Sequence, residues 1–209
     1  MPGEIFSFNN TVGEPTKDKG YELAGVYMGS EIVNGIGGGI CQTVSTLYNA
    51  VLYANLEIIS RSNHAMVVSY VRPSLDATMY YPHLDFKFKN NRNFPIKIKT
   101  AFSWAGNINI SIMGTKEDNT EVKLETNKLS ERPYTTKKII DNTLQPGKQF
   151  VKQIGVNGYT SEAYRIVTKD GVQVKRELLS KDSYKPIEKI IIVGPDENVI
   201  EKKEENEND

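Results

Sequence analysis

Residues 37–54 read GGGICQTVSTLYNAVLYA, and this stretch joins three glycines to a cysteine and a helical pattern. The apolar positions after the cysteine share one face of a helix, at the i, i+3, i+4, i+7 and i+8 spacing: Val44, Leu47, Tyr48, Val51 and Leu52. The spacing predicts a helix from Ile40 or Cys41 to Ala54, with Asn55 as its C-terminal cap. The first part of the chain is therefore built around one amphipathic helix.

Strand patterns follow this helix. Residues 84–88 alternate apolar and polar side chains, and residues 94–102 and 107–113 alternate similarly on either side of an Ala105-Gly106 turn. Residues 64–71 are rich in valine and tyrosine, which also predicts a strand. We therefore predict an α+β fold for the first part, with the helix packed on a mostly antiparallel sheet.

The second part of the chain contains strand and turn signals without a helical pattern. Among the turn signals, Asp170-Gly171 lies between two alternating runs and strongly predicts a hairpin. Many short strands over few core residues predict an elongated all-β module. We place the first domain at residues 1–116, the β module at 117–195 and a disordered acidic tail at 196–209, where charged residues show no apolar periodicity.

Composition excludes several functional classes. The 26 basic and 26 acidic side chains cancel and are interspersed, so no bulk charge attracts the chain to nucleic acid or anionic lipid. No run approaches the ~20 apolar residues of a membrane-spanning helix, and no secretion signal follows Pro2-Gly3. The abrupt start before a strand-like segment indicates a fragment of a longer protein. With one cysteine, the chain forms no internal disulfide.

Short blocks in the first part occur in a characteristic order: Gly3 to Asn9, Gly37 to Gln42, Ser45 to Ala50, Asn63-His64, Ser69 to Val71, Asp76 to Thr78, Asn90-Asn91 and Pro95-Ile96. In content and order these blocks resemble the VanW family, which is named for an accessory gene in vancomycin-resistance clusters. The resemblance covers roughly residues 2–115 and is specific, because the glycine–cysteine–helix block is long. Ala65 departs from the family pattern, which usually has a serine after the histidine.

Glycines punctuate the second part at recurring turn positions: Gly147, Gly155, Gly158, Gly171 and Gly194. Together with Arg176-Glu177 after the Asp170-Gly171 turn, this pattern resembles the G5 module, which is named for its glycines. G5 modules occur in surface proteins that handle cell-wall or glycan polymers, where they are thought to bind or to act as spacers.

The two resemblances together imply an extracellular protein of a Gram-positive bacterium, located at the cell surface or associated with the cell wall. The expected partner is peptidoglycan or another cell-wall glycan or peptide, without nucleic acid, cofactor or metal. Membrane contact is expected only through an anchor in a missing N-terminal segment.

A candidate catalytic site is centred on Cys41. The cysteine lies where the glycine-rich loop becomes a helix, so free backbone N–H groups and the helix dipole favour its thiolate. His64 follows the helix as general base, Asp76 or Asp85 would orient the imidazole, and Gln42 would donate to an oxyanion. We predict a thiol that attacks an amide of a peptidoglycan peptide, as a hydrolase or acyltransferase. Papain-like and transglutaminase-like enzymes share this chain order, which is an analogy of order alone.

Non-catalytic functions are the rival interpretation. In a binding protein, the glycine loop at Gly37, Gly38 and Gly39, with Ser45 and Tyr70, would recognise a carboxylate or sugar of peptidoglycan. In a purely structural protein, the G5-like module would only space the first domain from the wall.

Three further alternatives concern the same residues. In the first alternative, Cys41 is a small buried hydrophobic residue, and His64 is a hydrogen-bonded residue of the core or its rim. A zinc site from Cys41, His64 and His83 has suitable ligand types but lacks the close pairs of structural zinc. A phosphate-binding loop at the glycines lacks the lysine and the Ser/Thr ending of a P-loop.

Overall fold

The computed structural model describes residues 1–28 and 31–195, and over these ranges the chain is mostly β-structure with one long helix. The first part contains β1 (Ile5–Ser7), α1 (Phe8–Val12), β2 (Leu23–Met28), β3 (Glu31–Ile36), α2 (Ile40–Tyr53), β4 (Glu57–Ser60), β5 (Lys87–Lys89), β6 (Lys97–Phe102) and β7 (Ile108–Met113). The second part contains β8 (Thr120–Arg132), β9 (Thr136–Ile140), β10 (Gln149–Gln153), β11 (Gly158–Lys169), β12 (Val172–Tyr184) and β13 (Lys189–Val193). The predicted acidic tail, residues 196–209, lies outside the described residues.

The predicted helix is confirmed as α2, which begins at Ile40 and ends at Tyr53. Asn55 follows with a φ of 55°, the left-handed conformation that terminates many helices. The apolar side chains predicted to share the inner face are all buried: Val44, Leu47, Tyr48, Val51 and Leu52. In the described ranges, no helix is long and apolar enough to cross a membrane.

The strands of the first part form several small antiparallel sheets instead of one. β1, β5 and β4 pair in that order, whereas β2 pairs with β3 and β6 pairs with β7. The hairpin predicted around Ala105-Gly106 is confirmed by the β6–β7 pair. Helix α2 packs against β7 and against Phe86, whose ring meets Tyr48 edge-on at 5.5 Å between centroids. The expected packing of a helix on a mostly antiparallel sheet is thus confirmed in part: α2 lies against antiparallel strands, but these form several small sheets.

Two strand predictions in the first part fail at segments that form hydrogen bonds involving side chains. Residues 64–71 are irregular, and the N–H of His64 donates to the carboxylate of Asp76 instead of to a neighbouring strand. The strand predicted over residues 84–88 is shortened to β5, since the segment before it accepts hydrogen bonds from the start of α1. Local side-chain hydrogen bonds compete with sheet formation in this way.

The second part consists of two three-stranded sheets. One has the order β12-β11-β8 and is antiparallel, and the other has the order β10-β13-β9 with β9 parallel to β13. The hairpin predicted at Asp170-Gly171 is confirmed: Lys169 pairs with Val172, and the two turn residues have φ of 50° and 79°. Both central residues thus adopt the positive φ of a type I′ turn.

The two parts of the chain share a hydrophobic cluster. Leu124 of β8 and Ala163 of β11 pack with the buried face of α2 and the aromatic residues beneath it. Arg165 of β11 adds a polar contact, because its Nη1 donates to the carbonyl oxygen of Leu56 at 2.8 Å. The sheet formed by β8, β11 and β12 therefore lies directly against the first part.

Candidate functional site

The glycine run fixes the start of α2. Gly39 is the N-cap residue and has a φ of 89°, which favours glycine. A Cβ at Gly38 would lie 2.3 Å from the Cβ of Ala24 in β2, so glycine is needed for the helix start to approach this strand. Cys41 is consequently the second residue of the helix, where backbone N–H groups lack a partner within the helix.

Cys41 is partly exposed, which argues against the alternative of a fully buried packing residue. Its Sγ lies 3.4 Å from the Oγ1 of Thr78 and 3.8 Å from the carbonyl oxygen of Met79. The thiol therefore faces the segment that carries Asp76.

His64 is buried and held by Asp76 at two atoms. The ring Nδ1 donates to Oδ2 of Asp76 at 2.7 Å, and the backbone N–H of His64 donates to the same oxygen at 2.7 Å. The other ring nitrogen, Nε2, lies 3.1 Å from the hydroxyl of Tyr70. Of the two predicted orienting acids, Asp76 is thus the one beside His64, and Tyr70 lies against the imidazole.

Cys41 and His64 influence each other's ionisation. Burial raises the pKa of the Cys41 thiol, but hydrogen bonds with His64, Thr78 and the Met79 backbone bring that pKa below its ordinary value. Burial lowers the pKa of His64, whereas hydrogen bonds with Asp76 and Cys41 outweigh it and raise that pKa to about 9. Both shifts favour a thiolate beside an imidazolium near neutral pH.

The other carboxylate oxygen of Asp76 is also occupied. Arg61 donates from Nη2 to Oδ1 of Asp76 at 2.9 Å, and the hydroxyl of Tyr184 makes a short hydrogen bond to the same oxygen. Arg61 is held in turn by Asp182, with Nη1 at 2.8 Å from both carboxylate oxygens. Burial raises the pKa of Asp76, but the hydrogen bond from His64 and the charge of Arg61 keep it below its ordinary value. Asp76 is therefore ionised at neutral pH.

Ser45 anchors α2 to the segment that carries Asp76. Its buried Oγ accepts from the N–H of Ala77 at 2.9 Å and lies 2.8 Å from the carbonyl oxygen of Cys41. Asn49, one turn further along α2, donates from Nδ2 to the carbonyl oxygen of Leu75 at 2.7 Å. Ser45 is thus an internal anchor, which does not fit the exposed binding surface of the rival interpretation.

Asp85 lies apart from the site cluster, which is formed by Cys41, His64, Asp76 and the side chains that contact them. Its carboxylate accepts from the hydroxyl of Ser7 at 2.6 Å and from the N–H of Asn9 at 2.9 Å, at the start of α1. The structure therefore does not bring Asp85 beside His64, because both of its oxygens serve this helix terminus.

The glycine loop and Gln42 border an apolar groove of about 570 Å³ between α2 and the β6–β7 hairpin. Gln42 is exposed along this groove, and the backbone N–H groups at the start of α2 are the other candidates for oxyanion donors. Gly37 has a φ of 83° and packs against Pro15. The glycines thus serve turn geometry and close packing, and the apolar lining does not favour binding of a carboxylate or sugar there.

Four residues of the cluster were not predicted from the sequence as site residues: Arg61, Thr78, Asp182 and Tyr184. Arg61 and Thr78 lie within a few residues of His64 and Asp76, so a search for partners near those two side chains finds them. Tyr184 comes from the second part, 108 residues after Asp76, and no local pattern connects the two.

The zinc alternative lacks a third ligand. Among the described residues, no group of three or more His, Cys, Asp or Glu side chains is placed to hold a metal ion. His83 stacks on Tyr80 with 5.8 Å between ring centroids and forms no such group with Cys41 and His64.

Comparison with known protein families gives two matches along the chain. The family described as VanW like protein matches residues 1–113, and the G5 domain matches residues 120–196. The first match covers more than half of the chain and contains Cys41, His64 and Asp76. The second contains Asp182 and Tyr184.

A curated relative is the uncharacterized protein YoaR of Bacillus subtilis (strain 168), which is 42% identical over 123 residues. The match covers 59% of this chain and 40% of YoaR, so the chain spans less than half the length of that relative. Solved structures similar to this chain include the IgA1 protease G5 domain, with 22% identity, a TM-score of 0.25, and coverage of 39% of this chain and 98% of that one. HP0197-G5 has 24% identity, a TM-score of 0.21, and coverage of 36% and 97%.

Proposed function

We propose, from the premise that this chain belongs to the VanW-like family and continues into a G5 domain, that it is a cysteine-dependent acyl-transfer enzyme of the bacterial cell wall. The substrate is an amide bond of a peptidoglycan peptide, which is either hydrolysed or transferred to an amine. The two domains indicate a cell-wall-associated or binding protein. We extend the proposal to an extracellular location and a Gram-positive source.

The observation that carries the proposal is the arrangement of Cys41, His64 and Asp76. The thiol lies at the N-terminal turn of α2 and has its pKa lowered by His64, whose Nδ1 contacts Asp76 at 2.7 Å and whose Nε2 lies 3.1 Å from the hydroxyl of Tyr70. A nucleophile, a base and a group that orients the base are the parts required for covalent acyl transfer. The order of the three groups along the chain is secondary to this geometry.

In the proposed reaction the Cys41 thiolate attacks the amide carbonyl carbon, and backbone N–H groups at the start of α2 stabilise the oxyanion. The His64 imidazolium donates its proton to the leaving nitrogen as the C–N bond breaks, which leaves a thioester on Cys41 and a neutral imidazole. Water or an acceptor amine then attacks the thioester and gives its proton to His64, and the thiolate departs. Asp76 stays ionised and holds Nδ1 throughout.

The first test is the pH dependence of Cys41 alkylation by iodoacetamide. We expect the wild-type thiol to be alkylated at pH values well below the ordinary cysteine pKa of ~8.5. In His64→Ala we expect this reactivity at low pH to be lost. His83→Ala is the matched control, because His83 lies outside the cluster, and its profile should follow that of the wild type. A wild-type thiol that titrates like a free cysteine, or a His64→Ala profile identical to the wild type, would exclude the proposal.

The second test addresses the substrate. Peptidoglycan stem peptides, with and without an acceptor amine, are incubated with the chain and analysed by mass spectrometry. We expect an acyl adduct on Cys41 and a released or newly acylated amine, and neither product from Cys41→Ala. Turnover that persists in Cys41→Ala would contradict a cysteine nucleophile.

A second candidate function is non-catalytic binding of a wall polymer, which is favoured by a polar groove of about 910 Å³ between β4 and β12. Its lining includes Glu57 and Asn63 from the first part and Lys175 and Glu177 from β12. Cosedimentation with purified peptidoglycan, for the wild type and Cys41→Ala, separates the two candidates. Binding by both proteins together with an unreactive thiol would replace the enzymatic proposal by this one.

A further inference from the structure

The second domain contacts the residues that flank His64. Residues at the end of β12 and just after it run beside the residues that flank the histidine. The N–H of Lys185 donates to the carbonyl oxygen of Ala65 at 2.8 Å, and Nδ2 of Asn63 donates to the carbonyl oxygen of Ser183 at 3.3 Å. The residues on both sides of His64 are therefore tied to the G5 domain, Ala65 through its backbone and Asn63 through its side chain.

Tyr184, the last residue of β12, binds the segment that carries Asp76. Its hydroxyl donates to Oδ1 of Asp76 and accepts from the N–H of Ser74 at 3.1 Å. The side chain is 1% exposed, and its ring packs on Tyr159 with 4.8 Å between centroids. Burial and the charge of Asp76 raise the pKa of Tyr184, so the hydroxyl is protonated and donates at neutral pH.

Asp182 acts on the same carboxylate through Arg61. The side chains of Arg61 and Asp182 are 7% and 6% exposed, and the guanidinium bridges Asp182 and Asp76. The Nε of Arg61 also donates to the backbone carbonyl of Asp76 at 2.7 Å. Charges therefore alternate through the buried series Asp182, Arg61, Asp76 and His64, which ends at Cys41. Removing one member of such a series leaves its neighbour buried without a full set of partners.

From these contacts we infer that Tyr184 and Asp182 of the G5 domain are positioning residues of the site on the VanW-like domain, so that the two domains form one functional unit. Neither side chain contacts the thiol, and both act through Asp76. The inference rests on the proposed function for its meaning. Its test does not, because His64 can be titrated whether or not Cys41 is reactive.

The test is an NMR titration of the histidine ring signals in the full chain, which contains two histidines. His83 supplies an internal reference, and His83→Gln assigns its signals. In Asp182→Asn, one negative charge is lost from the buried series, so we expect the titration midpoint of His64 to fall by about half a pH unit or more. In Tyr184→Phe, we expect the Nδ1–H signal of His64 to broaden, because a less firmly held carboxylate lets this proton exchange faster with water.

Two controls separate positioning from general damage to the domain junction. Tyr159→Phe removes a hydroxyl from the ring next to Tyr184, and Ser161→Ala removes a hydroxyl that lies 2.7 Å from Ser74. Within the described structure neither hydroxyl contacts Asp76, so both variants should keep the wild-type His64 signals.

The inference is overturned if Asp182→Asn and Tyr184→Phe keep the wild-type midpoint and Nδ1–H signal. It is equally overturned if Ser161→Ala changes them as much, since domain docking would then be the cause. An unreactive thiol in the alkylation experiment would remove the proposed enzyme activity without altering this titration result.

Discussion

At the scale of single residues, the site depends on how a buried carboxylate is satisfied. Asp76 is 1% exposed and accepts hydrogen bonds from His64, Arg61 and Tyr184. A buried ion is tolerated when its partners replace the water it has lost. The same partners fix the carboxylate against Nδ1 of His64, so the requirement for stability and the requirement for orienting the imidazole are met by one set of contacts.

The His64–Asp76 pair predicts a pH-dependent stability. The folded-state pKa of His64 is about 9, above its ordinary value of 6.5, so the pair stabilises the fold fully below pH ~6.5. This contribution is lost as the pH rises through about 9. We expect the free energy of unfolding, measured with urea, to be about 2–3 kcal/mol higher for the wild type than for His64→Gln at pH 6. This difference should shrink by pH 10. His83→Gln is the control, and a difference that stays constant over this range would contradict the assignment.

Asp76→Asn tests the carboxylate itself. The substitution keeps the shape of the side chain but leaves Arg61 and His64 without their shared negative partner. We expect a loss of about 3 kcal/mol in the free energy of unfolding at neutral pH and a thiol that requires a higher pH for alkylation. Asp85→Asn, at the start of α1, is the matched control: it should change stability through its helix cap and leave the alkylation profile of Cys41 unaltered. Equal alkylation profiles for Asp76→Asn and the wild type would argue against the role of Asp76.

The residues of the site were predictable from the sequence to different degrees. Cys41 and His64 could be selected because the cysteine is unique and lies at a helix start marked by glycines. The sequence could not decide whether Asp76 or Asp85 orients His64, because separation along the chain does not determine which carboxylate lies beside the imidazole in the fold. In the structure, Asp85 is engaged by the backbone of α1, a contact between segments 76 residues apart.

At the scale of secondary-structure elements, the position of Cys41 depends on the first turn of α2. Gly38→Ala places a Cβ 2.3 Å from the Cβ of Ala24, so the helix start and β2 must separate. We expect a loss of stability of about 1–3 kcal/mol and slower alkylation of Cys41 near neutral pH. Thermal unfolding and the alkylation rate measure the two effects.

Gly39→Asn is the control for this change. Gly39 has a φ of 89°, and a Cβ there meets nothing within 4 Å. Asparagine tolerates the left-handed region better than most residues, so Gly39→Asn should lose less stability than Gly38→Ala. A Gly38→Ala protein as stable and as reactive as Gly39→Asn would show that the close approach to β2 is not required.

The elements themselves were predictable where the hydrophobic period was strong. Helix α2 and the β11–β12 hairpin follow from local signals, because a helical stripe and an Asp-Gly turn determine structure within a few residues. The irregular segment from His64 to Val71 was not predicted, because its valines and tyrosine favour a strand. In the structure the N–H of His64 instead donates to Asp76. Tertiary hydrogen bonds override strand propensity there.

At the scale of the whole molecule, the sequence indicated two modules but not how they meet. Composition and turn signals change near residue 115, and a boundary of this kind usually predicts independent domains joined by a linker. The structure shows a shared core instead, because strands β8 and β11 contribute side chains to the cluster around α2. Contacts such as Arg61 with Asp182, 121 residues apart, leave no trace in local periodicity.

The shared core predicts that the two domains lose their structure together. Leu124 of β8 is 3% exposed and belongs to the cluster around α2, whereas Leu129 of the same strand is 50% exposed. We expect Leu124→Ala to lower the free energy of unfolding by about 2–4 kcal/mol, and Leu129→Ala by less than about 0.5 kcal/mol. Hydrogen exchange followed by mass spectrometry should show protection falling in parallel in α2 and in β11 for Leu124→Ala, because both pack on the vacated position. Faster exchange confined to β8, β11 and β12, with α2 unchanged, would mean that the domains are stable separately. A G5 domain that unfolds without disturbing α2 could not hold Asp76 in place, so this outcome would also count against the positioning role of Tyr184 and Asp182.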